Sequence, residues 1–67
     1  METTESLDKF SAPFNQQIEL LEVTFEGDTK LLRLRIKEGK RFTIFDMDAE
    51  TAKRWGQGMV DWAASSK

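Results

Sequence analysis

A chain of 67 residues without cysteine or histidine lacks the two usual staples of a small domain, a disulfide and a Cys/His-bound structural metal. At this length folding buries only roughly 60% of the unfolded chain's surface, so one marginal domain is the upper bound and self-association is the remaining route to stability. The net charge of −2 argues against indiscriminate nucleic-acid binding, but it is unevenly spread: six cations and one carboxylate between Lys30 and Arg41 give +5 and leave −7 elsewhere. The polar, acidic start METTESLDK has no basic segment followed by an apolar core, and no apolar run approaches the ~20 residues of a membrane span. A cytoplasmic protein with no membrane partner is therefore expected.

Residues 1–13 read as a flexible N-terminal tail, because Leu7, Phe10 and Ala12 are its few apolar points and Pro13 interrupts it. Residues 14–67 read as a single small domain. Its first strand, about 16–26, alternates Leu21, Val23 and Phe25 with Glu22, Thr24 and Glu26. Ile18 and Leu20 fall on the other side, so either a bulge shifts the phase near Leu20 or both faces of the sheet are covered there. Gly27-Asp28 supplies turn chemistry before a second strand, about 30–37, in which Leu32, Leu34 and Ile36 alternate with Arg33, Arg35 and Lys37. A hairpin closed at Gly27-Asp28 sets Val23 against Leu32, Leu21 against Leu34 and Glu22 against Arg33. A third strand, about 41–47, follows Glu38-Gly39-Lys40. A three-residue loop keeps Phe42 and Ile44 in phase with Ile36 and Leu34, whereas a two-residue loop turns Phe45 and Met47 inward.

Asp48, three positions before Thr51, is placed to cap a helix of about 49–64. Ala52, Trp55, Met59, Trp62 and Ala63 recur on one side of it, opposite Lys53, Arg54, Gln57 and Asp61. Gly56 and Gly58 each weaken a helix interior by about 1 kcal/mol relative to alanine. Gly56 in the stripe lets the helix approach the sheet closely, and Gly58 leaves room for the two indoles. The expected fold is α+β: a three-stranded antiparallel meander with the helix packed on one face and Ala52, Trp55, Met59 and Trp62 as the helix core. One helix leaves the other face open. Its mixture of Ile18, Leu20, Leu31, Arg33, Arg35 and Phe45 forms the candidate interface, and a second copy of the chain is its simplest partner.

Phe45-Asp46-Met47-Asp48 resembles the catalytic-loop motif of the haloacid-dehalogenase-like superfamily. That resemblance implies Asp46 as the nucleophile, Asp48 as the acid and base, bound Mg²⁺ and a large doubly wound α/β fold. Here Ala49 stands where a glycine usually follows, the threonine comes one residue late at Thr51, and the family's later acidic and basic residues do not fit in the 16 residues after it. The motif is read as a strand-to-helix junction and the likeness as coincidental. Without His, Cys or Tyr the usual bases and thiol nucleophiles are missing, so no enzyme, cofactor or metal site is expected.

The alternative to protein interaction is an oligonucleotide-binding module using Arg33, Arg35, Lys37, Lys40 and Arg41, with Phe45 as a stacking ring. Glu19 and Glu22 on the neighbouring strand are ready cross-strand partners for those cations and the whole chain is acidic, so the basic face reads first as solvated or paired within the chain, then as a protein interface, and last as a nucleic-acid surface. Finally, Gln17-Ile18-Glu19-Leu20, Leu32-Arg33-Leu34-Arg35-Ile36, Arg41-Phe42-Thr43-Ile44 and the Trp55-Gly56 helix resemble a group of small uncharacterised bacterial proteins of similar length, over roughly residues 14–64. The resemblance implies a bacterial source and carries no site residues. The expected function is a small non-enzymatic interaction module that self-associates through the exposed sheet face or an edge strand.

Overall fold

The computed structural model describes residues 2–66; Met1 and Lys67, the outer ends of the expected tail and domain, lie outside the described residues. Four antiparallel strands run in the order β1 (Thr3–Ala12), β2 (Gln16–Thr24), β3 (Lys30–Glu38) and β4 (Arg41–Met47), and one helix, α1 (Ala49–Ser65), follows. The expected strand count of three is thus corrected to four. The supposed flexible tail is β1, paired along β2 from Thr3 opposite Thr24 to Ala12 opposite Gln16. Its apolar residues escape the period-2 test because the register shifts between Ser6 and Asp8, leaving Leu7 as an extra residue. Two left-handed residues, Phe14 (φ 67°) and Asn15 (φ 60°), turn the chain into β2.

The β2–β3 register also differs from expectation, by one residue. Phe25 to Thr29 form a wider loop around a short 3-10 turn, Glu26–Asp28, closed by the Phe25 N–H donating to the Thr29 carbonyl at 2.7 Å. Val23 therefore faces Leu31, Glu22 faces Leu32 and Leu21 faces Arg33. A one-residue slip exchanges sheet faces, so Ile18 and Leu20 join Ile36 and Leu34. The β3–β4 connection is the two-residue alternative: Glu38 opposes Arg41 across Gly39-Lys40, with Gly39 at φ 60°. That loop sets Phe45 opposite Leu34 and Met47 opposite Leu32.

The pairings sort the sheet into two unlike faces. One carries Phe10 from β1, Ile18 and Leu20 from β2, Leu32, Leu34 and Ile36 from β3, and Phe45 and Met47 from β4. The other carries Glu19, Leu21 and Val23 with Arg33, Arg35, Lys37, Phe42 and Asp46. Among the described residues only Val23 (0% exposed) and Met47 (6%) are buried apolar side chains.

The helix does not form the expected second layer. No residue of α1 is buried, and Trp55, Met59 and Trp62 are 43%, 54% and 70% exposed. It approaches the sheet at β3, and the Trp55 ring stands edge-on to Phe45 with centroids 5.6 Å apart. The cause is the junction. A single residue, Asp48, separates Met47 from Ala49, shorter than the ~2–6 residues that commonly let a helix turn back over its sheet. The resulting chain is 44 Å long with a radius of gyration of 13.5 Å, against roughly 11 Å for a compact domain of this size.

Candidate functional site

The apolar sheet face and the apolar stripe of α1 are both open. Along the helix, Thr51, Arg54, Trp55, Gly58, Met59, Trp62 and Ala63 form one shallow, open surface, to which no other element contributes a lining residue. Neither Gly56 nor Gly58 has another part of the chain within 4 Å of where a Cβ would stand. The expected close approach of Gly56 to the sheet is corrected accordingly, because the sheet is not underneath it. The total exposed area is 5677 Å², whereas a monomer of 7.7 kDa exposes about 4300 Å².

On the opposite sheet face the charges are mostly matched within the chain. Arg33 grips Asp46, its direct cross-strand partner, through Nε–Oδ1 at 2.8 Å and Nη2–Oδ2 at 3.0 Å, and Glu2 adds a contact at 3.4 Å. The hydrogen bond from Arg33 holds the Asp46 carboxyl below the usual carboxylate range, and the same bond raises the Arg33 guanidinium. Glu19 accepts from Ser6 Oγ at 2.8 Å and lies 3.8 Å from Arg35. Arg35 and Lys37 sit 5.2 and 5.6 Å from the Phe42 ring centre, a cation–π pairing. Asp48 caps α1 as expected: its carboxylate accepts from the Thr51 N–H at 3.2 Å, which lowers its pKa. Both carboxylates of the Asp46-Met47-Asp48 junction thus have structural partners.

The strand missed from the sequence, the junction and the helix are one continuous unit, and a family model matches that unit almost end to end, over residues 1–65. The chain belongs to DUF6967, a family of unknown function. The match takes in all of β1, so this DUF6967 unit begins ahead of the residues that carried the resemblance to small uncharacterised proteins. No curated protein and no solved structure matches the chain. Among the described residues no helix is long and apolar enough to cross a membrane.

In this DUF6967 chain the candidate interface residues divide between the two faces. Ile18, Leu20 and Phe45 share the apolar face, while Leu31, Arg33 and Arg35 lie on the other. Ala52, Trp55, Met59 and Trp62 do not make a core; Ala52 is half-buried and the other three are open. Of the candidate nucleic-acid contacts, Arg33, Arg35 and Lys37 do share one face, Lys40 sits in the β3–β4 turn, and Arg41 opposes Glu38. Phe45 is not beside the cations; Phe42 takes that place. Sequence reasoning assigned Leu34 and Ile36 to a helix-covered side and Phe10 to a tail. The signal that could have found Phe10 is the spacing of three from Leu7, which a one-residue bulge converts into strand phase.

Proposed function

We propose that this chain is a small non-enzymatic protein-interaction module that self-associates through its apolar sheet face. The observation that carries the reading is the surplus exposed area. The excess of roughly 1300 Å² over a compact monomer matches one partner's share of an obligate homodimer interface, which buries about 2000–5000 Å² in total. The engagement of both Asp46 oxygens by Arg33, and the capping role of Asp48 toward Thr51, support the non-enzymatic part. Resemblance to short bacterial chains suggests a bacterial setting, and the proposal takes the protein to be cytoplasmic.

Sedimentation velocity across a concentration series tests the proposal, with a dimer expected at micromolar concentration. A strict monomer at high micromolar concentration, together with no protein captured from extract, overturns it. Oligonucleotide binding is the competing outcome. It draws on a smaller set than the sequence suggested, because Arg33 and Arg35 already face carboxylates, and it predicts salt-dependent amide shifts on β3 and β4 with short RNA or DNA.

A further inference from the structure

Resting on that self-association reading, we propose that the occupant of the apolar sheet face is helix α1 of a second copy, seated reciprocally. The helix stripe of each chain then covers the Ile18–Leu20–Leu34 region of the other, and Arg54 of one chain meets Asp8 of its partner.

Two apolar surfaces of one chain are left uncovered, and they suit each other in kind and size. The stripe from Thr51 to Ala63 spans roughly 18 Å at 1.5 Å per residue. The face of four strands, spaced about 4.8 Å apart, is roughly 14 Å between its outer strand axes. The stripe is therefore long enough to cross all four strands of the face. The chain does not make this contact itself: its helix starts one residue after β4, and beyond Trp55 the large stripe residues Met59 and Trp62 stay open. A second copy supplies both missing surfaces at once, and a two-fold arrangement closes with nothing left over.

Charge and shape agree with that occupant. Asp8 stands opposite Leu20 on the apolar face, and Arg54 borders the open helix stripe. Neither has an ionic partner among the described residues, whereas Glu22 and Lys30, at one end of the same face, pair with each other at 3.8 Å. An anion toward the β1 side of the sheet face and a cation beside the helix stripe fit a cross-chain pair, made twice in a reciprocal dimer. Gly58 lies between Trp55 and Trp62 with open space where its Cβ would be, a notch no side chain of the same chain fills. Glycine weakens a helix, so its place in the middle of the stripe is accounted for by a partner side chain entering there.

The test uses the 67-residue chain carrying D8R or R54D, alone and mixed, by sedimentation equilibrium, with amide spectra to check that the sheet is retained. Each variant alone brings like charges together twice in a reciprocal dimer, so each should dimerise about tenfold or more weakly than wild type. Mixed in equal amounts, the two restore both opposite-charge contacts and should associate at wild-type strength. A mixture as weak as its parents overturns the helix-to-sheet seating, as do single variants that dimerise as well as wild type, and either result leaves a wild-type dimer and the self-association reading standing. Absence of a wild-type dimer removes both. Rescue by mixing cannot come from a helix folded back on its own sheet, because that contact never leaves the chain.

Discussion

The β2–β3 hairpin and helix α1 are both rich in large apolar side chains, yet they use them differently. In the hairpin Val23 is fully enclosed and Leu21, Leu32, Leu34 and Ile36 are half-buried. In α1 nothing is buried. The difference comes from how each element satisfies its backbone. Strands must pair to make their hydrogen bonds, and pairing brings cross-strand side chains together without any further docking. A helix makes its hydrogen bonds within itself and leaves its apolar stripe to whatever surface meets it. The contrast places stability in the hairpin and, under the proposed self-association, the partner contact on the helix.

The largest effect should follow a cut into the hairpin. Val23→Ala cuts the one fully enclosed side chain among the described residues back to a single methyl and should cost about 2 kcal/mol of unfolding free energy, read from urea denaturation at fixed protein concentration. A cost under about 0.5 kcal/mol would show that the hairpin is not where stability resides. Trp62→Ala cuts the helix instead. At a dilution where the chain is monomeric it should change stability by less than about 0.5 kcal/mol, as surface substitutions do, and at higher concentration it should weaken the dimer markedly. Equal destabilisation at all concentrations would mean that Trp62 packs within its own chain, erasing the contrast between the two elements.

A smaller effect belongs to the Arg33–Asp46 pair, which ties β3 to the edge strand β4. Because Arg33 lowers the Asp46 pKa in the folded chain, the pair stabilises the fold above the unfolded aspartate value of about 3.9 and loses that contribution as pH falls through the lower folded value. Asp46→Asn should therefore be less stable than wild type near neutral pH, with the gap closing in acid below about pH 3.9. A gap that is independent of pH would assign the loss to packing rather than to charge.

How much of this was legible in the sequence depended on whether the signal was local. The Asp48 cap and the α1 stripe lie within one stretch of chain, and both ends of the helix were readable. Register is not local. Gly27-Asp28 reads as a two-residue turn, but the loop runs from Phe25 to Thr29, and that displacement moved Leu21 and Leu31 away from the face where they were expected. β1 was hidden by its bulge at Leu7. The candidate site was half legible: Ile18, Leu20 and Phe45 were placed on an open face, but Leu34 and Ile36 were given to a helix that lies elsewhere. An amphipathic stripe states that a helix has a partner surface and does not state which chain provides it.

The smallest effect tests the junction that separates the two regions. Asp48 is exposed, and its one structural task is to accept from the Thr51 N–H at the first turn of α1. Asp48→Ala should lower helix content measured by circular dichroism and leave most β2–β3 amide shifts in place, since α1 meets the hairpin near β3 without burying any of its own residues there. The difference from wild type should fade in acid, because the hydrogen bond that lowers the Asp48 pKa acts on the charged form and is lost as pH drops through the folded value. Asp48→Asn, which keeps an acceptor without the charge, should retain most of the helix and lose the pH dependence. If Asp48→Ala disturbed the hairpin instead, the helix would be bracing the sheet from within the chain, and the division between a stable hairpin and an associating helix would fail.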